Sequence, residues 1–237
     1  MTKILCIESA ESICSVALAI DGKAEFLHTS DTSCDHAKVL APFISQVLSQ
    51  ARITANDLDA VAVSKGPGSY TSLRIGVSTA KGLCFAAQKP LIAIGTLDIL
   101  ASMAAQNMAT DNACICAMLD ARRMEVYAAF FDAQGKPVSD ATPVIVDEYS
   151  FMQQLSQNKV VFVGSGAQKC SEVIHHPNAV FVAQHSSAIA LAPLAQKAFE
   201  QRQFENTAYF EPFYLKSFVA TQAKNKFSDQ LTATSDQ

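Results

Sequence analysis

Apolar positions along the chain recur at two periods, and each change of period marks an element. Ile4 to Ile7 is a short apolar run that stops at Glu8, and Val16, Leu18 and Ile20 then alternate with smaller residues. Both stretches predict strands, and Asp21-Gly22 predicts a tight hairpin into a third. From His36 to Ala51 the spacing turns helical. On a wheel of about 100° per residue, Val39, Phe43, Val47, Leu40, Ala51, Ile44, Ala37 and Leu48 spread over roughly 180°, wider than the ~100° stripe a surface helix needs. Pro42 predicts a kink, or the point where the regular helix begins. Val61 to Val63 predicts a strand entering Gly66-Pro67-Gly68, and Thr71 to Ala87 predicts a second helix. A strand at Leu91 to Ile94 and a helix at Leu97 to Gln106 complete this half.

The same grammar returns near residue 115. Ile115 to Leu119 runs into Asp120, Val126 to Phe131 forms an apolar strand, and Gln134-Gly135 supplies a turn. Val160 to Val163 enters Gly164-Ser165-Gly166, and Val180 to Val182 precedes a helical stretch from Ser187 to Gln201. The spacing between equivalent positions shrinks along the chain, so the second half repeats the first with shorter connections. Each half reads as three strands, then helix, strand, helix, strand, helix. That order implies an α/β fold in which a mixed sheet is flanked by helices. Two such ribonuclease-H-like lobes make the architecture of actin, sugar kinases and the ATPase domain of Hsp70 chaperones. Rossmann-type alternation is the competing plan, and the repeated hairpin opening favours duplication. Residues 1–110 are expected to form the first actin-like lobe and 111–210 the second, with the boundary near Asn107 to Asn112. A terminal helix over 211–220, around Pro212 to Val219, is expected to pack on the first lobe, ahead of a disordered tail at 221–237.

Composition narrows the possible functions. Of 237 residues, 49% are hydrophobic, 17% are charged and 37 are alanine, which excludes a disordered chain. A net charge of −4 argues against coating nucleic acid by bulk electrostatics. The longest candidate membrane span, Leu91 to Ala105, is broken by Asp98. The apolar run after Met1-Thr2-Lys3 is too short for a signal peptide, and seven irregularly spaced cysteines make no disulfide framework. A cytoplasmic protein is expected. Cys114-x-Cys116 would place two thiols on one face of a strand, as buried small hydrophobes rather than a metal site.

Four stretches carry candidate chemistry. Glu8 closes the first strand, where the actin-like plan puts an acid that binds phosphates through metal. The turn behind it, Ser9-Ala10-Glu11-Ser12-Ile13-Cys14, contains no glycine, and Glu11 adds negative charge, so ATP binding through this loop is weakened. Lys65 to Arg74 joins a strand to a helix through Gly66, Pro67 and Gly68. Ser69 or Thr71 can cap that helix, and its exposed amides could hold an anion beside Lys65 and Arg74. The alternative is a purely structural joint. The helix itself mixes Leu73, Val77 and Cys84 with Gly76, Ala80 and Gly82, which suits close approach of another helix. Asp120-Ala121-Arg122-Arg123-Met124-Glu125 is a polar turn whose arginines either clamp an anion or pair with Asp120 and Glu125. No nucleophile–base pair and no histidine pair at zinc spacing is found.

Lys65 to Gly76 with Ala80-Lys81-Gly82-Leu83, then Asp120 to Arg123 with Glu125-Val126-Tyr127, and finally Glu211-Pro212 with Tyr214-Leu215-Lys216 resemble, in order, the motifs of the TsaB (formerly YeaZ) family. The likeness covers residues 1 to about 218. Glu8-Ser9-Ala10 stands where that family commonly has Asp-Thr-Ser, and Ser72 and Met124 where it usually has glycine. The resemblance implies a non-catalytic actin-like subunit with no cofactor of its own, ATP and metal belonging to its partners. Those partners are the transferase TsaD and the ATPase TsaE, which modify N6 of the adenosine beside the anticodon in tRNAs reading A-starting codons. TsaD's paired metal-binding histidines are missing from this chain. The implied contact is a helical bundle between first lobes, assigned here to Val39, Phe43, Val47, Leu73, Gly76, Val77, Ala80 and Cys84, and open also to homodimers. The motif loops are Gly66, Gly68, Ser69 and Arg74, and Asp120, Arg122, Arg123 and Glu125. Contact with tRNA would be indirect. The competing function is an autonomous ATP-dependent phosphotransferase or hydrolase.

Overall fold

The computed structural model describes residues 1–30, 35–107 and 113–216. The first half contains β1 (Lys3–Glu8), β2 (Ser15–Ile20), β3 (Lys23–Thr29), α1 (His36–Gln50), β4 (Ala60–Gly66), α2 (Tyr70–Ala87), β5 (Leu91–Gly95) and α3 (Thr96–Asn107). The second contains β6 (Cys114–Asp120), β7 (Glu125–Phe131), β8 (Thr142–Ile145), α4 (Met152–Gln157), β9 (Val160–Val163), α5 (Ala167–Ser171), β10 (Ala179–Val182) and α6 (Ala188–Glu200). The sheets run β3-β2-β1-β4-β5 and β8-β7-β6-β9-β10, the same order twice. β1 is antiparallel to β2 and parallel to β4, and β6 repeats both pairings with β7 and β9. This is the duplicated ribonuclease-H-like plan of the actin-like fold. The shrinking spacing has a simple source: α1 and α2 span 15 and 18 residues, whereas their counterparts α4 and α5 span 6 and 5.

Side chains alternate across each strand, so the central strands β1, β2 and β4 each serve two cores. Leu5, Ile7, Val16 and Val61 pack under α1 and α2. On the opposite face Ile4, Cys6, Ala17, Ala19, Ala60 and Ala62 meet α6, which comes from the second half of the chain. In return α3, from the first half, lays Leu97, Leu100, Ala101 and Ala104 on Ile115, Ala117, Leu119 and Ala129 of the second sheet. The halves thus exchange their last helices, and α3 and α6 pack together between the sheets. Much of the alanine excess is used here. Ala188, Ala190, Ala192, Ala195 and Ala198 of α6 press against the alanines of β2 and β4, letting helix and sheet approach closely.

Beyond α6 the chain returns over the first lobe as a strap. Glu205 donates its amide to the Leu91 carbonyl at 2.9 Å, and Phe213 donates its own to Lys65 at 2.7 Å. Residues 211–216 of the expected terminal helix are not helical, and the Phe213 amide is engaged by Lys65 rather than by a turn of its own. The rest of that helix, the tail at 221–237 and most of the expected lobe boundary lie outside the described residues. Among the described residues, no helix is long and apolar enough to cross a membrane.

Candidate functional site

Three motif segments far apart in the chain meet on one rim. The Gly66–Ser69 loop sits between the β1–β2 turn and the strap. A β-carbon at Gly66 (φ +113°) would collide with the Phe213 carbonyl, and one at Gly68 with the Ala10 carbonyl. Ser69 donates its amide to Ala10 at 2.7 Å, and its hydroxyl caps α2 by accepting from Ser72. The loop thus acts as a structural joint between β4 and α2, with Ser69 and Ser72 satisfied inside the chain. Arg74 instead leans over the Tyr70 ring, 5.3 Å from its centroid, and Tyr70 packs on Tyr214 of the strap at 4.8 Å. Lys81 Nζ donates to the Phe210 carbonyl at 2.8 Å and the Ala208 carbonyl at 3.3 Å, pinning the strap to α2. Two residues beyond Tyr214, Lys216 pairs with Glu125 and so joins the strap to the Asp120–Tyr127 motif.

The helix face assigned to a partner needs correction. Val47, Leu73, Val77, Ala80 and Cys84 are buried in this chain's own core, and Gly76 lies against Ser9. Val39 and Phe43 are half-buried, with Phe43 stacked on His28 at 5.8 Å. The broad apolar arc of α1 is consumed twice, once on the sheet and once on α2. The outward side includes the small residues Ala37, Ala41, Ser45 and Ser49 on α1, beside Lys38, Pro42 and Gln46, with Ser78 and Gly82 on α2. Nothing lies within 4 Å of a β-carbon built at Gly82, and Phe85 beside it is 77% exposed. Phe85 also borders a groove of about 620 Å³ running between α2 and Asn206 to Ala208 of the strap.

Two buried carboxylates stand at the end of β1 and in the turn behind it. Glu8 Oε1 accepts from the Ala10 amide at 2.8 Å, while no hydrogen bond among the described residues reaches Oε2. Burial pushes the Glu8 carboxyl up to about 7, helped by the nearby Glu11 charge, and the Ser64 and Ser186 hydroxyls only temper the rise. Glu11 behaves oppositely. Burial opposes its charge, but His185, Ser165 and Ser186 together hold its carboxyl below the usual range. Its Oε1 accepts from the Ser186 amide at 2.8 Å and hydroxyl at 3.1 Å, and its Oε2 lies 3.1 Å from His185 Nδ1. The hydrogen bond to Glu11 pushes the His185 imidazole up in turn. Glu11 thus places a buried carboxylate just ahead of α6. Sequence reasoning found both acids but missed His185 and Ser186, which lie more than 170 residues away and carry no local motif.

Other candidate chemistry closes down. Cys114 and Cys116 share one face of β6 as expected, packed in the second core, and burial pushes the Cys84 and Cys170 thiols up to about 11. Among the described residues, no group of three or more His, Cys, Asp or Glu is placed to hold a metal ion.

A family model described as TsaD, tRNA N6-adenosine threonylcarbamoyltransferase, matches residues 28–233. The chain is 33% identical over 232 residues to the tRNA threonylcarbamoyladenosine biosynthesis protein TsaB of Escherichia coli K12, which spans 92% of this chain and 96% of that one. It is also 48% identical, over 63 residues, to the tRNA N6-adenosine threonylcarbamoyltransferase of Novosphingobium aromaticivorans, or 27% of this chain and 18% of that one. A solved structure from Pseudomonas aeruginosa, described as an uncharacterized protein with similarity to peptidase YEAZ, superposes with a TM-score of 0.80 at 26% identity. That match covers 91% of this chain and 100% of the other.

Proposed function

Because the chain belongs to the TsaB family of tRNA threonylcarbamoyladenosine biosynthesis proteins, we propose that it is the non-catalytic subunit of the threonylcarbamoyltransferase, binding and activating the TsaD transferase in the cytoplasm. The observation that supports this reading is the β1–β2 turn with its buried Glu11. Glu11 sets a carboxylate that accepts from Ser186 into the β1–β2 turn, and that turn lacks the glycines through which backbone amides reach phosphates. ATP and metal chemistry then fall to TsaD and TsaE, and no step of the reaction is assigned to this chain.

The docking face is the outward side of α1 and α2. Its small residues permit close helix approach, Phe85 supplies an apolar anchor, and Val39 and Phe43 contribute their exposed edges. A transferase that shares a segment of this fold can present matching helices, forming a bundle between first lobes, and a second copy of this chain can occupy the same face. Binding activates the partner only through higher affinity for its competent state.

Phe85→Asp should abolish co-purification with the transferase and modification of tRNA. Its effect on the stability of this chain should stay within about 0.5 kcal/mol, because the side chain is exposed. Unchanged co-purification and unchanged modification would overturn the assignment. Calorimetry of the isolated chain with ATP and magnesium tests the autonomous-enzyme alternative, which micromolar binding would revive.

A further inference from the structure

We propose that the tip of the β6–β7 hairpin contacts the phosphate backbone of RNA through Arg122 and Arg123. This rests on the family reading and adds a direct, local contact to a chain that is acidic as a whole. The sequence allowed these arginines to pair with Asp120 and Glu125. The structure spends those acids on lysines. Lys169 Nζ donates to Asp120 Oδ1 at 2.7 Å, to the Arg123 carbonyl at 2.9 Å and to the Glu125 carbonyl, using all three ammonium donors. Lys216 takes the Glu125 carboxylate. Both arginines are exposed, and no ion pair among the described residues engages either one.

Their backbone is costly as well. Arg122 (φ 70°) and Arg123 (φ 48°) are consecutive left-handed residues, a conformation that Asn-Gly normally supplies in tight hairpins. The turn is also held firmly. Arg122 donates its amide to Asp120 Oδ1 at 2.6 Å, Ala121 to the Glu125 carbonyl at 3.0 Å, and Asp120 to Ser165 Oγ at 3.2 Å. Two exposed arginines are thus carried on a firmly held turn, with no ion pair among the described residues, and their planar guanidiniums match phosphate oxygens. RNA is favoured over an acidic protein surface because a nucleic-acid backbone offers a continuous row of phosphates and needs no shaped pocket around each arginine. Lys216 ties the tip to the strap, which carries Tyr214 beside Tyr70 and Arg74 on the same rim.

The test replaces Arg122→Asn and Arg123→Gly together, residues suited to the backbone. The Tm of the isolated chain should rise or hold, and co-purification with the transferase should be unchanged. The affinity of that complex for an unmodified transcript of a tRNA reading an A-starting codon should fall about tenfold near 0.1 M salt. The slope of log K against log salt should become shallower by about 1–2. Unchanged affinity and slope in an intact complex would overturn the proposal. So would loss of co-purification with unchanged RNA affinity, which would make the tip a protein contact. If the wild-type chain fails to assemble, the family reading falls. The isolated chain then decides the proposal at about 0.05 M salt, where equal RNA binding by wild type and variant overturns it and weaker binding by the variant supports it.

Discussion

Glu8 and Glu11 sit three residues apart and respond to pH in opposite directions. Glu8 binds its proton more tightly when folded, up to about 7 from an ordinary 4.5. The folded state therefore loses stability as pH rises through that window, by about 3 kcal/mol once above it. Glu8→Gln should raise stability at pH 8 by a large part of that amount and change little at pH 4.5, measured by urea unfolding at both. A larger gain at pH 4.5 would exclude the argument. Glu11 is the reverse case. Its folded pKa is lowered, so its contribution is present above the ordinary carboxylate range and disappears as pH falls through the lowered value. Glu11→Ala should destabilise by about 1–3 kcal/mol at pH 7, since the Ser186 amide and His185 lose their acceptor. The acids were legible because one ends an apolar strand and the other stands in a turn without glycine. Their opposite behaviour was not, because it depends on His185, Ser165 and Ser186, which the fold delivers from the other half of the chain.

At the scale of elements, periodicity gave no bounds for β8, α4 or α5 but located the long helices closely, His36–Gln50 and Ala188–Glu200 among them. It did so because apolar spacing reports which face must be covered. It does not report what covers that face. The wide arc of α1 therefore suggested a partner surface at Val47 and its neighbours, when the sheet and α2 cover those residues between them. The strap was illegible for a related reason: Glu205 to Lys216 has no period of its own and is held by outside groups. Lys81 is the principal one, donating to two strap carbonyls. Lys81→Met keeps the aliphatic stem and removes both hydrogen bonds. It should cost about 1–3 kcal/mol and speed proteolytic cleavage between residues 204 and 216, while the helical circular dichroism stays unchanged. Cleavage at the wild-type rate would mean that the strap is held by Phe213 and Tyr214 instead.

For the whole molecule, duplication was readable because each half repeats the same order of strands and helices. The exchange of α3 and α6 was not, because an apolar helix has the same pattern whichever sheet it covers. The exchange has a thermodynamic consequence. Residues 1–112 alone would lose α6 from the face of the first sheet that carries Ile4, Cys6, Ala60 and Ala62, leaving only Ile99 and Met103 of α3 beside it. The second half alone would likewise lack α3 over Ile115, Ala117 and Leu119. Neither half should fold by itself, and the full chain should unfold in one transition despite its two sheets. Leu191→Ala in α6 tests this at one residue. Leu191 is fully buried against the first sheet, and its truncation should cost about 2–5 kcal/mol. If the lobes were independent, only signals from the first sheet would melt earlier. With exchanged helices, hydrogen exchange at β1 and at β6 should accelerate together and by the same factor, because losing α6 also removes the support of α3 beside it.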